Sequence, residues 1–170
     1  MIQIIKASIW KQFGASIDML KNSIEQCPEE LLAKNKRIFY ITYHTLIFLD
    51  YYLTIPPKDF SSQLPFTIKE LNEIPRDAVD DVVPHRFYSK SELLNYLQAS
   101  RDKCFNLIES LTEAKLNDRF IEEPEQGGRN YSITEILLYN MRHVQHHTAQ
   151  LNLFLKQAGI EPPKWISRAK

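Results

Sequence analysis

Apolar residues recur at helical spacing in long segments of the chain. In the first segment, from about 5 to 27, one face carries Ile9, Phe13, Ile17, Leu20 and Ile24. A densely apolar segment from about 31 to 53 is long enough for a second helix, although its aromatic and β-branched residues would also suit a strand. Its polar residues, among them His44 and Asp50, argue against a membrane span.

Two further helices are marked by their N-terminal signals. Residues 89–92 (Ser-Lys-Ser-Glu) and 132–135 (Ser-Ile-Thr-Glu) both match the capping box, in which a serine and a later glutamate satisfy free amide groups. The third helix is therefore predicted to start at Ser89. The fourth is predicted to run from residues 132–135 to about Gln157, with Gly159 just beyond its end.

The connection between the second and third helices, from about 55 to 88, is rich in proline and unusually long for a compact domain. Four helices with such a connection predict an all-α four-helix bundle, formed by a single domain over residues 1–170. The sequence leaves the order and direction of the helices in the bundle open.

Composition excludes several kinds of protein. The chain has 21 basic and 21 acidic residues, and this balance gives no sign of nucleic acid or an anionic membrane as partner. The N-terminus has mixed polarity, so we expect no signal peptide and a cytoplasmic location. Cys27 and Cys104 are far apart in sequence and are not expected to form a disulfide. The acidic pairs at 80–81 and 122–123 are predicted to be solvated loop charges.

Three of the five histidines fall within residues 141–150. His143 and His147 are four residues apart in the fourth predicted helix, so both imidazoles lie on one face and could bind one metal ion. Asn140 and Gln150 share this stripe, and we expect them to position the metal ligands. His146 should face elsewhere.

A catalytic zinc site typically has three protein ligands, so a third must come from another segment. His44 is predicted to supply it, because a buried imidazole in an apolar helix needs a partner. His85, in the long connection, is a weaker candidate. The alternative is that these histidines are hydrogen-bonded core or surface residues and bind no metal.

At these residues the chain resembles the DinB/YfiT-like superfamily of small four-helix-bundle proteins. The matching pattern is a histidine in the second helix, here His44, and a late helix that contains His143-Val-Gln-His146-His147-Thr-Ala-Gln150. The resemblance implies a metal triad of His44, His143 and His147 with zinc or nickel as the metal, and a homodimer. Several relatives are thiol-dependent transferases or isomerases that use low-molecular-weight thiols. The family's frequent His-His-Arg-Gly-Gln sequence is replaced here by His146-His147-Thr-Ala-Gln150, which leaves the subgroup and the thiol open.

The leading hypothesis is therefore a divalent-metal protein that acts as a thiol S-transferase, in which a thiol activated at the metal attacks a small electrophile. Metal-assisted hydrolysis comes second, and no catalytic side chain beyond the metal ligands is assigned. The rival hypotheses are a non-enzymatic binding or dimerisation module and a metal-responsive stress protein. Aromatic residues of the long connection are predicted to form the wall or lid of a substrate pocket: Phe60, Phe66, Phe87 and Tyr88.

Overall fold

The computed structural model describes residues 1–170, apart from the side chain of Gln126. The described chain forms five α-helices and two small antiparallel hairpins. The helices are α1 (Ile2–Gln26), α2 (Glu29–Lys34), α3 (Lys36–Tyr51), α4 (Lys90–Glu109) and α5 (Ile133–Gln157). The hairpins pair β1 (Phe66–Ile68) with β2 (Val82–Pro84), and β3 (Arg119–Ile121) with β4 (Asn130–Ser132). The predicted helical bundle is confirmed, and α1, α3, α4 and α5 are its four long helices.

The second predicted helix is in fact two helices, α2 and α3, which meet at Asn35. The backbone of Asn35 is extended, with φ −97° and ψ 97°, and its side chain accepts a hydrogen bond from the Ile38 amide at 3.2 Å. Asparagine is a strong N-cap because its side chain replaces the missing intrahelical acceptor. The prediction of one continuous helix from 31 to 53 was wrong for this reason.

The helices are not arranged around the bundle in chain order. Helix α1 packs against α4 and α5, and α3 packs against the same two helices, so α1 and α3 lie at opposite corners. Helices α1 and α4 are antiparallel. At one end Lys6 lies 3.3 Å from the Glu109 carboxylate, and at the other Lys90 donates to the Cys27 carbonyl at 2.7 Å.

Helices α3 and α4 run in the same direction. Ser23 donates to Asn152 at 2.7 Å, and residues 12–19 of α1 line one cavity with residues 141–145 of α5, so α1 and α5 are parallel. Asn140 of α5 bonds to the Leu49 carbonyl of α3, while His44, earlier in α3, meets residues later in α5, so these two helices are antiparallel. The connection between α3 and α4 must therefore return along the length of the bundle.

The long connection packs firmly on α3. The rings of Tyr43 and Tyr88 stack with centroids 5.6 Å apart, and the Tyr43 hydroxyl donates to the Leu64 carbonyl at 2.6 Å. The interior between the helices is apolar, and both cysteines are buried free thiols. Among the described residues, no helix has the length and apolar character that crossing a membrane requires.

The C-terminal segment folds back along α1. The Ala169 amide donates to the Lys11 carbonyl at 2.9 Å, and the Trp10 indole donates to the Lys170 carbonyl at 3.3 Å. Gly14 makes this approach possible, because a Cβ atom there would lie only 2.7 Å from the Ala169 Cβ.

Candidate metal centre

Three histidines from two helices meet in the bundle. His44 extends from α3, and His143 and His147 extend from successive turns of α5. One ring nitrogen from each residue lies within 4.8 Å of the other two. The Nε2 atoms of His44 and His143 are 3.0 Å apart. The antiparallel packing of α3 on α5 thus adds a third imidazole to the pair predicted from sequence spacing.

The other two histidines lie outside this cluster. His85 is exposed next to the β1–β2 hairpin, with its Nε2 atom 2.9 Å from the Thr67 hydroxyl. His146 is exposed on α5, and its ring lies beside that of His147 with a centroid separation of 5.0 Å. His85, the weaker candidate for the third ligand, is therefore not among the converging residues.

Burial keeps the α5 histidines neutral. His147 of α5 is 9% exposed, and His44 of α3, which packs against both α5 rings, is 8% exposed. Loss of hydration, reinforced by the neighbouring His44, lowers the pKa of His143 to about 2 and that of His147 to about 4. Both rings are therefore uncharged near neutral pH, which is the form in which histidine binds a metal.

Gln150 fixes the orientation of the His147 ring. Its side-chain oxygen lies 2.7 Å from His147 Nδ1. Because an amide oxygen can only accept, His147 Nδ1 carries the proton and Nε2 keeps its lone pair. Asn140, in contrast, donates from Nδ2 to the Leu49 carbonyl at 2.9 Å and so ties α5 to α3 rather than bonding to a histidine ring.

An acidic residue missed by the sequence analysis lies behind His44. Asp80 Oδ2 is 3.0 Å from His44 Nδ1, and the Asp80 side chain is 27% exposed. The prediction that Asp80 is a solvated loop charge was wrong, because the long connection folds back onto α3 and brings the carboxylate to the histidines. No local sequence signal could have revealed this contact, since 36 positions separate the two residues.

The aromatic residues around the cluster differ from those predicted. Phe48 and Tyr52 contact His143, with ring centroids 5.9 and 5.8 Å away. Tyr52 in turn packs against Phe120 of β3 and Tyr139 of α5. The predicted wall residues have other neighbours, as their closest ring pairings show: Phe60 with Tyr51, Phe66 with Phe60, Phe87 with Phe39 and Tyr88 with Tyr43. The described ring contacts of His143 therefore come from α3, from Tyr52 at its C-terminal end and from α5, not from the long connection.

An ion pair at the turn between β3 and β4 packs against Tyr52 and Tyr139. The Glu122 side chain is 0% exposed and lies 2.8 Å from the Arg129 guanidinium. Arg129 also lies 5.6 Å from the ring centroids of both Tyr52 and Tyr139. The expectation that Glu122 is a solvated charge was wrong, because the turn of the hairpin folds its carboxylate inward against Arg129.

The cluster is reachable from solvent along α5. An open groove of about 530 Å³ reaches the cluster at His143 and is lined by Tyr139, Arg142, His143, Gln145, His146 and Ala149 of α5. His143 belongs to both the groove and the cluster. A small molecule in the groove would therefore meet the histidines from the His143 side.

The three imidazoles suit a divalent metal ion. Two nitrogens bound to one tetrahedral ion at about 2.1 Å are about 3.4 Å apart, close to the 3.0 Å between the Nε2 atoms of His44 and His143. His143 Nδ1 and Asn140 Oδ1 are buried without a hydrogen-bond partner in the described chain. Three protein ligands leave a fourth position open, as in catalytic zinc sites.

The chain matches the family model of the DinB superfamily over residues 12–151. The matched range includes His44, His143 and His147. No curated protein matches the chain.

Proposed function

Because the chain belongs to the DinB superfamily, we propose that it holds one divalent metal ion at His44, His143 and His147 and transfers a low-molecular-weight thiol to a small electrophile. The observation that carries the proposal is the convergence of three imidazoles beside a solvent-accessible groove. Family membership supports the fold, the convergence supports the metal site, and the thiol chemistry comes from the resemblance to thiol-dependent relatives.

The ligand set determines what the site can do. All three ligands are neutral, so none of them offsets the charge of the ion. The ion, when bound, would lower the pKa of a thiol or water in its open position. We propose zinc or nickel, since imidazole nitrogen suits both.

The surrounding residues have separate roles in this proposal. Gln150 accepts the Nδ1 proton of His147 and holds its ring in one tautomer. Phe48 and Tyr52 cover the α3 side of His143 and exclude water there. The groove along α5 leaves the other side open, so the electrophile would approach past His143 and Arg142.

The first experiment measures metal content. Protein purified without a histidine tag is analysed by elemental mass spectrometry, together with His44→Ala, His143→Ala and His147→Ala. We expect close to one equivalent of metal in the wild type and a loss in each variant. The matched control is His85→Ala, which removes an exposed histidine outside the cluster and should keep the metal.

Two results would overturn the metal site. One is a wild type that takes up no zinc, nickel or iron after incubation, and the other is full metal content in His147→Ala. Either would favour the rival hypothesis of a non-enzymatic bundle with structural histidines.

The second experiment tests the thiol chemistry. Metal-loaded protein is mixed with a fluorogenic bimane electrophile and, in turn, glutathione, cysteine and other cysteine-derived thiols. We expect thiol-dependent product formation that His147→Ala abolishes and that His85→Ala, a change at an exposed ring outside both the cluster and the groove, keeps. A metal-loaded protein that accelerates no thiol would remove the transferase proposal and leave the metal site standing.

A further inference from the structure

The long connection places a carboxylate behind one ligand of the histidine cluster. Asp80 Oδ2 lies 3.0 Å from His44 Nδ1, the ring nitrogen that points away from His143. This Nδ1 atom is buried, and among the described residues it has no partner at the angle of a hydrogen bond. A small turn of the imidazole or the carboxylate would align the two groups, since their separation is already that of a hydrogen bond.

We propose that Asp80 is a positioning residue for His44, and this inference rests on the proposed metal site. The Asp80 carboxylate accepts the Nδ1 proton of His44, so that the Nε2 lone pair faces His143 and His147. Ligating histidines commonly donate their second ring N–H in this way, and the partner fixes the ring and increases its basicity.

The Asp80 carboxylate is itself held in place. Its Oδ1 atom accepts a hydrogen bond from the Val82 amide at 3.0 Å. Val82 begins β2 and pairs with Ile68 of β1, and the Lys69 amide donates to the Asp81 carbonyl at 2.9 Å. Because the hairpin fixes Oδ1, the other oxygen has a defined direction toward His44.

The three histidines differ in the group that lies next to their Nδ1 atoms. His147 has the neutral amide of Gln150 behind its Nδ1 atom, whereas His143 Nδ1 has no partner in the described chain. His44 has the carboxylate, which places a negative charge next to an otherwise neutral ligand set. The site is therefore built from α3, α5 and the connection between α3 and α4, and that connection acts on the metal through His44.

The test measures metal affinity directly, with Co²⁺ as the probe. The full chain is stripped with a chelator and titrated with Co²⁺, and the absorbance of the bound ion is recorded for the wild type, Asp80→Asn and Asp81→Asn. Asparagine can keep the bond from the Val82 amide through Oδ1, but it then presents an NH₂ group to the His44 N–H. We expect Asp80→Asn to weaken Co²⁺ binding by about 10- to 100-fold. Asp81→Asn, which removes the neighbouring exposed charge, should stay within roughly twofold of the wild type, the small effect expected of a screened surface charge.

If Asp80 only stabilised the fold, Asp80→Asn would lower the melting temperature of the stripped protein and leave the spectrum of bound Co²⁺ unchanged. We expect the thermal melt of the stripped Asp80→Asn protein to match that of the stripped wild type, and the spectrum of its bound Co²⁺ to change as the His44 ring loses its orientation. Asp80→Glu, which restores the charge, should recover part of the affinity.

The outcomes separate this inference from the proposed function. A wild type that binds Co²⁺, with equal affinity and an equal spectrum in Asp80→Asn, would overturn the role of Asp80 and leave the metal site intact. A wild type that binds no metal would overturn both. If Asp80→Asn does not fold, proton NMR of the zinc-loaded wild type decides. A slowly exchanging His44 Nδ1–H supports the hydrogen bond to Asp80, and its absence overturns it.

Discussion

Acid should destabilise the metal-free protein through two buried histidines. The folded state holds the pKa of His143 at about 2 and that of His147 at about 4, because burial and the nearby His44 disfavour the charged rings. An unfolded chain has histidines with a pKa of about 6.5. Below about pH 6.5 the unfolded state therefore binds more protons than the folded state, and stability falls as the pH falls.

The size of the loss follows from these values. Each pKa unit corresponds to about 1.4 kcal/mol, so at about pH 5 each histidine favours the unfolded state by about 2 kcal/mol. Together His143 and His147 account for at most about 4 kcal/mol. This is a large part of the free energy of unfolding of a typical domain, about 5–15 kcal/mol. Carboxylates contribute at lower pH. Glu92, whose pKa is lowered to about 2 by its hydrogen bond from Arg86, stabilises the fold above its ordinary pKa and loses that effect only under stronger acid.

The assay is urea unfolding in a chelator, followed by circular dichroism from about pH 8 down to about pH 5, where carboxylates contribute little. The wild type should lose stability steadily below about pH 6.5. The double variant His143→Asn/His147→Gln should have a nearly flat profile. His146→Gln, the matched control at an exposed ring, should behave like the wild type. An equally steep profile in the double variant would refute the argument that the buried rings cause acid lability.

Two further changes test the packing around the site by urea unfolding. Glu122→Gln leaves the Arg129 charge without its partner, and we expect a loss of about 2–3 kcal/mol, below the range for fully buried pairs because Arg129 is 28% exposed. Glu30→Gln breaks an exposed ion pair and should cost less than about 1 kcal/mol, so equal effects of the two changes would contradict this account. Gly14→Val should cost about 1–3 kcal/mol because its side chain collides with Ala169. Ala169→Gly should restore part of that loss in the double variant, and a failure to do so would place the strain elsewhere.

The sequence by itself predicted the features that depend on near neighbours along the chain. Ser89 and Ser132 cap α4 and α5 as their spacing indicates, each accepting a hydrogen bond from the amide three residues later. The spacing of His143 and His147 places them on one face of α5, and Gln150 is close enough in the same helix to reach His147. Helix geometry fixes all of these relationships within a few residues.

The errors of the sequence analysis have two causes, one local and one long-range. Residues 34–37 (Lys-Asn-Lys-Arg) are all polar, and spacing alone does not distinguish such a run within one helix from a break between two helices. The side-chain cap at Asn35 decides where α3 begins. Charge patterning predicts Asp80 and Glu122 to be solvated loop charges. The contacts of these carboxylates depend on what the loops fold against, and charge patterning along the chain carries no information about that.

Only the tertiary structure decided which distant groups meet. The diagonal placement of α1 and α3 and the parallel direction of α3 and α4 bring His44 to the α5 pair and return the long connection across α3. That return brings Asp80 to His44. The sequence can specify the ligands on one helix because their spacing is local. The complete site depends on contacts between segments far apart in the chain, and these form only when the apolar faces of the helices pack together.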